Sequence, residues 1–146
     1  DEMSSRGLGD VYKRQGNTSM HTLSRDFDPK IFIGYYLSQI AFGVGTIHFN
    51  FGCTKIDTTN LGNASIVCES EVTYITKGHS SLIKTGDYAQ ISTLGALLNQ
   101  DVVNASTPTS QSLRLTFSNG SIVCFEGDEH FENFQIYLPN QDVIFV

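Results

Sequence analysis

The chain has 146 residues, which is long enough for one domain with its own hydrophobic core. Its residues are 40% hydrophobic and 16% charged, a composition that is typical of globular proteins and argues against disorder. The formal net charge of −6 argues against a general nucleic-acid binder, because such proteins need a basic face to displace the counterions of the phosphate backbone. No apolar run reaches the roughly 18 residues that a membrane-spanning helix needs.

The first residues of the chain form a segment that is unlike the rest. Residues 4–15 resemble the translated sequencing-adapter read-through found at the ends of open reading frames in metagenomic assemblies. Such a segment was never selected to fold, so, like an expression tag, it is not expected to contribute to the fold. We therefore expect residues 1–28 to be artefactual or disordered, and residues 29–146 to form a single β-rich domain.

Alternating apolar and polar side chains begin after Ile31. Residues 47–51 and residues 113–117 both alternate in this way, which predicts two half-buried strands. Asn119 and Gly120 follow the second of these strands. Because both residues tolerate a positive φ, they predict a tight hairpin with a type I′ turn.

Two further elements are predicted, a helix and a closing hairpin. In residues 92–100 the apolar side chains have helical spacing, and Ser92 can cap the free amides of a short helix. Residues 134–138 and 143–146 predict the hairpin, with a turn between them. The last strand has no charged residue after Asp142, and an unprotected edge can pair with another chain. This edge predicts a homo-oligomer.

The tetrapeptide Ser-Ile-Val-Cys occurs twice, at residues 65–68 and 121–124. Each copy follows one of the alternating strands, and each half of the chain also contains the pattern Gly-x-x-Leu-x-Gln, starting at Gly34 and at Gly95. The order of these features is the same while the loop lengths differ, which predicts a duplicated unit.

The duplication is expected to cover residues 31–76 and 92–138. A competing register pairs Ile56 with Ile122 and ignores the tetrapeptide. In either register the expected fold is mainly β, or β-rich α+β. It is an antiparallel, barrel-like domain of two related hairpin units with one short helix.

The three cysteines, Cys53, Cys68 and Cys124, cannot all pair within one chain, which favours a reducing compartment over a disulfide scaffold. Their spacing fits no zinc knuckle, so we interpret them as small buried hydrophobes, with Cys68 and Cys124 as matching packing residues of the two units. No charged n-region precedes an apolar h-region. We therefore expect a cytoplasmic protein of a bacterial host cell.

Residues 31–146 resemble a family of small, uncharacterised bacterial proteins. The resemblance rests on hydrophobic spacing and on two stretches, Phe-Ser-Asn-Gly and His-Phe-Glu-Asn-Phe; the matching segments are residues 34–40, 47–51, 94–103, 113–120 and 128–136. Residues 131–134 look like the family's signature of an aromatic, a Glu, a small residue and an aromatic. Members look like short stand-alone proteins, and some resemble immunity proteins encoded beside toxin genes, which implies binding without catalysis. The chain departs from the family in its long loop at residues 53–64 and in Phe134, where a larger indole is common.

Arg114 and His48 occupy equivalent outward positions on the two alternating strands. If both strands face one cleft, these cationic side chains lie near Tyr35 and Tyr36 and suit an anionic, aromatic ligand such as a nucleotide. The alternative interpretation is a solvent-facing sheet surface whose charges keep the protein soluble.

Residues 126–132 hold four carboxylates and one imidazole. Their spacing matches neither an EF-hand loop nor a His-Glu-x-x-His helix, so no metal site is predicted. We interpret the segment as a solvated turn followed by a strand in which Glu132 bonds to backbone or to Arg114. Glu132 and Phe134 complete the candidate ligand-binding set.

The sequence contains no nucleophile elbow, dinucleotide fingerprint or P-loop, so neither a catalytic residue nor a cofactor is predicted. The favoured function is a non-catalytic binding protein that neutralises a partner in bacteria–phage conflict. Its favoured partner is a nucleotide immune signal, which a phage anti-defence protein would sequester in an oligomeric pocket. The alternative partner is a toxin, inhibited by a bacterial immunity protein whose acidic surface suits a basic nuclease. The alternative class is a small hydrolase of a nucleotide signal. Nucleic acid and membrane are not expected as partners.

Overall fold

The computed structural model describes residues 23, 27–53, 62–128, 130, 132–139 and 142–146. The strands in these residues are β1 (Tyr35–Gly43), β2 (Thr46–Cys53), β3 (Ala64–Cys68), β4 (Glu71–Thr76), β5 (His79–Lys84), β6 (Val102–Ser106), β7 (Ser112–Phe117), β8 (Ile122–Glu126), β9 (Phe134–Tyr137) and β10 (Val143–Phe145). The helical segments are a 3-10 helix at Pro29–Phe32, α1 at Tyr88–Ile91 and a second 3-10 helix at Ser92–Leu97. The prediction of a mainly β fold with a short helix is confirmed.

The strands form two antiparallel five-stranded sheets. The first sheet has the order β10-β9-β3-β2-β1, and the second sheet has the order β5-β4-β8-β7-β6. Their inner faces meet through aromatic rings. Phe125 of β8 lies edge to face with Phe49 of β2 at a centroid distance of 5.1 Å, and 5.6 Å from the ring of Phe134 in β9. The two sheets therefore stack over a shared core, and the expected barrel-like closure is absent from the described strands.

The two halves of the chain share one strand order. β1–β3 form a meander in the first sheet and β4–β5 a hairpin in the second, whereas β6–β8 form a meander in the second sheet and β9–β10 a hairpin in the first. The ladder irregularities also match, between Leu37 and Gln39 in β1 and between Val102 and Asn104 in β6. Each half thus gives its hairpin to the other sheet. This arrangement agrees with the predicted duplication, which stays a prediction about the chain's origin.

The two Ser-Ile-Val-Cys segments occupy positions that differ by one residue. Both lie on the return strand of a hairpin, β3 or β8, as expected. Phe49 of β2 lies opposite Ile66, but the corresponding Leu115 of β7 lies opposite Val123. Ile66 therefore corresponds to Val123, and the tetrapeptide match is out of register with the fold. The competing register rests on residue 56, which lies outside the described residues.

A shift of one residue on a strand turns every side chain to the opposite face. Ile66 and Cys68 are accordingly buried, whereas Ile122 and Cys124 face outward and are half-buried. The prediction that the two cysteines are matching packing residues is therefore wrong. The Gly-x-x-Leu-x-Gln match fails as well, because its first copy lies on β1 and its second copy runs from the 3-10 helix into the following turn.

The hairpin at Asn119 and Gly120 is confirmed, but its turn type was predicted wrongly. Only Gly120 has a positive φ, of 87°, and its amide donates to Phe117 O at 2.8 Å. The amide of Phe117 in turn donates to Ser121 O at 2.8 Å. This is the three-residue loop in which a type I turn is followed by a left-handed glycine. The side chain of Asn119 supports it by accepting a bond from the amide of Ser121 at 2.9 Å.

The predicted helix is present but begins one turn before Ser92. The carboxylate of Asp87 accepts a bond from the amide of Gln90 at 3.2 Å and so caps α1. Ile91, Leu94 and Leu97 are buried across α1 and the 3-10 helix. The predicted closing hairpin is confirmed, since β9 pairs with β10.

The expectation for residues 1–28 falls mostly outside the described residues. Within that range Leu23 is buried, and its amide donates to Ser110 O at 2.6 Å. Asp28 caps the first 3-10 helix, because its carboxylate accepts a bond from the amide of Lys30 at 3.0 Å. The described end of this segment is therefore packed against the domain.

The offset between the two tetrapeptides can be tested with one matched pair of substitutions. Ile66→Ala should lower the free energy of unfolding by about 2–5 kcal/mol, because it leaves a cavity among buried side chains. Ile122→Ala removes the same atoms from a half-buried outward position and should cost much less. Urea denaturation of both variants measures the difference. Equal losses would mean that the two positions are equivalent after all.

Candidate functional site

Two of the six predicted ligand-binding residues belong to the core. Tyr35 and Phe134 are each 1% exposed, and Tyr35 packs edge to face on Phe32 at 6.3 Å. Burial raises the pKa of the Tyr35 hydroxyl, and the neighbouring Cys53 thiol adds to the shift. Neither side chain is accessible to a ligand in this arrangement. Tyr36 is half-buried on the outer face of the first sheet, with its ring against Gly52.

His48 and Arg114 occupy equivalent positions, as expected, but they do not meet. His48 is on β2 between the buried Ile47 and Phe49, and Arg114 is on β7 between buried leucines. Since neighbouring side chains of a strand alternate between faces, each points away from the core. The two side chains therefore lie on the opposite outer faces of the stacked sheets. The single cleft that the sequence suggested for them is not formed within one chain.

Glu132 belongs to a different cluster, centred on Gln135. Gln135 is 4% exposed on β9, and its side-chain amide donates to Glu132 Oε2 at 2.6 Å and also to Glu69 Oε2. A glutamine amide has two N–H donors, so both are used on carboxylates. The two acidic groups are thus held side by side by one amide. Glu132 was expected to bond to backbone or to Arg114. Its Oε2 instead accepts a bond from the side chain of Gln135.

Asn133 fixes the backbone around this cluster. Its side chain donates to Glu126 O at 2.9 Å at the end of β8. Its own amide donates to Val146 O at 2.7 Å, and its carbonyl accepts from the amide of Glu69 at 2.7 Å. One residue therefore ties the ends of β3, β8 and β10 together. Asn133 belongs to the acidic-aromatic stretch at residues 131–134 that the sequence resemblance identified. Phe131 of that stretch lies outside the described residues.

Five carboxylates surround two adjoining cavities beside Asn133. The cavities have volumes of about 420 Å³ and about 360 Å³, and Glu71, Asp128 and Asn133 line both. We define the acidic groove as these cavities and their carboxylates, which belong to Glu69, Glu71, Glu126, Asp128 and Glu132. Two basic residues lie on neighbouring strands: Lys84 is across the strand pair from Glu71, and Arg114 is opposite Cys124, which lines the smaller cavity.

In its described part, the acidic groove shows no cluster of metal ligands. Among the described residues, no group of three or more His, Cys, Asp or Glu side chains converges in a way that could hold one. Its chemical capacity is instead a concentrated negative potential in a concave surface, which favours cationic groups of a binding partner.

A larger cavity lies at the end of the first sheet. It has a volume of about 700 Å³ and runs between β10 and the first 3-10 helix. We define the apolar groove by its five hydrophobic residues, which are Phe27, Ile31, Leu138, Val143 and Ile144. Asp28, Lys30 and Asp142 contribute charges of both signs to its walls. The apolar groove has no concentration of cations that would select a phosphate.

The local sequence indicates only one half of the acidic groove. The cluster at residues 126–132 was visible as a run of charges, but Glu69 and Glu71 were not connected to it. They come close because β9 pairs with β3 and β8 pairs with β4. No local pattern around Glu69 or Glu71 indicates these pairings, since they join residues that are 47 to 72 positions apart.

Comparisons of the chain with protein-family models, with curated proteins and with solved structures gave no match. The resemblance to small bacterial proteins therefore stays a prediction. No helix in the described part of the chain is long and apolar enough to cross a membrane.

The thiols on the two faces of the sheets should react differently. Burial raises the pKa of Cys68 to about 11, so its thiol is protonated near neutral pH. Burial also raises the pKa of Cys124, while the neighbouring Arg114 guanidinium opposes that shift. We expect iodoacetamide at pH 8 to leave Cys68 unmodified in the folded protein and to modify Cys124 slowly.

Arg114→Ala should slow the alkylation of Cys124 by about two- to fivefold, the factor expected for an exposed charge pair of about 0.4–1 kcal/mol. Mass spectrometry of peptides from a time course measures both thiols, and Cys68 serves as the internal control. Rapid labelling of Cys68 in the folded state would contradict the burial that we describe.

Proposed function

We propose that this protein neutralises another protein by stoichiometric, non-catalytic binding, and that the partner presents a basic surface to the acidic groove. The observation that carries the proposal is the set of five carboxylates around two adjoining cavities. The resemblance to immunity proteins supports the same function. In this proposal the partner is a toxin with a basic active site, such as a nuclease, encountered in bacteria–phage conflict inside a bacterial cell.

The acidic groove suits a protein partner for an electrostatic reason. Glu69 and Glu132 share the amide of Gln135, so two negative charges are oriented before any partner arrives. A partner's lysine or arginine therefore meets carboxylates that are already positioned. Opposed potentials of this kind accelerate association and exclude wrong partners. They fit an inhibitor that covers a cationic site.

Sequestration of a nucleotide immune signal has weaker support. An anionic nucleotide needs converging donors, and His48 and Arg114 lie on opposite faces. The acidic groove would repel its phosphates, and the apolar groove offers Lys30 beside two carboxylates. Hydrolysis of such a signal would require a catalytic group in one of these cavities. Both alternatives are distinguished from inhibition by the experiment below.

The test is the inhibition of basic nuclease toxin domains at equimolar concentration. Glu126 is exposed in the acidic groove, and Glu126→Lys should weaken inhibition about tenfold or more, with a smaller loss at high salt because the interaction is electrostatic. Asp101→Lys is the matched control, since it makes the same charge change at an exposed position outside the groove. It should leave inhibition unchanged.

Three results would overturn the proposal. Equal losses in the two variants would show an effect of net charge alone. Release of intact nucleotide from the heat-denatured protein, without inhibition of any nuclease, would favour sequestration. Recovery of a hydrolysed nucleotide would make the protein an enzyme.

A further inference from the structure

The outer edge of β10 carries backbone groups that bond to no residue in the described part of the chain. Phe134 and Val146 exchange both of their N–H···O=C bonds, at 3.1 and 2.8 Å. In an antiparallel pair such bonded positions alternate with positions whose polar groups point the other way. Val143 and Phe145 are therefore the residues of β10 that direct N–H and C=O away from β9. No hydrogen bond to a described residue satisfies these four groups.

The edge strands β1 and β5 have contacts or charges that β10 lacks. The edge of β1 is covered because Leu37 bonds through its amide to Gln100 O at 3.1 Å and through its carbonyl to the amide of Asn99 at 2.8 Å. The strand β5 begins at His79, ends at Lys84 and leads directly into α1. Charged residues and covering helices are the usual protection of edges against pairing. The strand Val143–Phe145 has no charge.

The side chains next to this edge are apolar on both faces of the sheet. Tyr137, Val143 and Phe145 share the outer face and are 37%, 39% and 44% exposed. Ile144 lies opposite the buried Ile136, so it faces the inner side, where the apolar groove begins. An added strand would thus find apolar surface above and below it.

We propose that the edge is occupied by the β10 strand of a second copy of this chain, paired antiparallel about a two-fold axis at Ile144. In this register Val143 lies opposite Phe145 of the partner subunit, and Phe145 lies opposite Val143 of the partner subunit. Each of these two pairs exchanges two hydrogen bonds, so four bonds satisfy all the free groups of both copies. The first sheets join into one ten-stranded sheet, since each has five strands.

A second copy fits this edge better than an unrelated peptide because the edge is self-complementary. Val143 and Phe145 are equally distant from Ile144, so the two-fold axis brings every free donor to a free acceptor. The two Ile144 side chains then lie side by side, at the mouth of both apolar grooves. The outer faces bring valine against phenylalanine, an aromatic–β-branched pair of the kind that stabilises sheets. No like charges meet on the paired strands, although each chain has a net charge of −6.

The inference does not depend on the proposed function, and sedimentation velocity over a range of concentrations tests it. The unmodified chain should sediment as a dimer of twice 16.1 kDa. Phe145→Lys places a charge at the seam and should make the protein monomeric. Leu82→Lys is the matched control, because Leu82 lies opposite Thr73 on edge strand β5 as Phe145 lies opposite Gln135. It is also exposed, at 53%, and its substitution should leave the dimer intact.

Val143→Pro tests the backbone bonds directly. It removes an N–H that has no partner among the described residues, so folding should be preserved, and circular dichroism verifies this. The dimer loses two of its four proposed bonds, which should weaken association roughly tenfold or more. In the unmodified protein, NMR should find that exchange of the Val143 and Phe145 amides slows as the concentration rises.

The inference is overturned if the unmodified chain stays monomeric at high concentration, or if a dimer survives both Phe145→Lys and Val143→Pro. It is also overturned if the Val143 and Phe145 amides exchange equally fast in monomer and dimer. A monomer whose two amides are protected only by an added peptide copying residues 142–146 would assign the edge to a peptide ligand instead.

Discussion

The contact between Phe125 and the aromatic rings of the first sheet is the constraint on which the rest of the structure depends. Phe125 touches Phe49 of β2 and lies near Phe134 of β9, so one side chain of the second sheet packs on strands from both halves of the chain. Large apolar faces can leave water only by covering each other. Once the sheets stack in this way, every polar position that alternates with the core residues must point outward.

The stacking of the two sheets and the exchange of hairpins between them determine which of the predicted residues come together. It places His48 and Arg114 on opposite faces, although the two residues are equivalent in their own sheets. The exchange of hairpins between the sheets has the opposite effect on the carboxylates. It brings β9 beside β3, so that Gln135 reaches Glu69 and Glu132 together. The same exchange leaves β10 at the rim of the first sheet.

Predictions from sequence succeeded where a short stretch contains the whole cause. The alternation in residues 47–51 and 113–117 gave strands, and Asn119-Gly120 gave a hairpin, because side-chain alternation and backbone φ are local properties. The predictions failed where identical residues were taken to occupy equivalent positions in the strand register. The repeated tetrapeptide aligns Cys68 with Cys124, yet hydrogen bonding across the ladder places the two on different faces. The cap was predicted at Ser92, whereas the helical segment begins at Tyr88, is capped by Asp87 and buries Ile91.

The amino-acid sequence by itself determined the β class, most of the hairpins and the acidic character of the residues before β9. These follow from period-two hydrophobicity, turn residues and charge, which are encoded within a few neighbouring positions. Only the tertiary structure decided which face each repeated position occupies, which carboxylates form the acidic groove and which edge is left unpaired. Those features depend on pairings between distant strands, because a register is set by the burial of both strands together and neither strand specifies it alone.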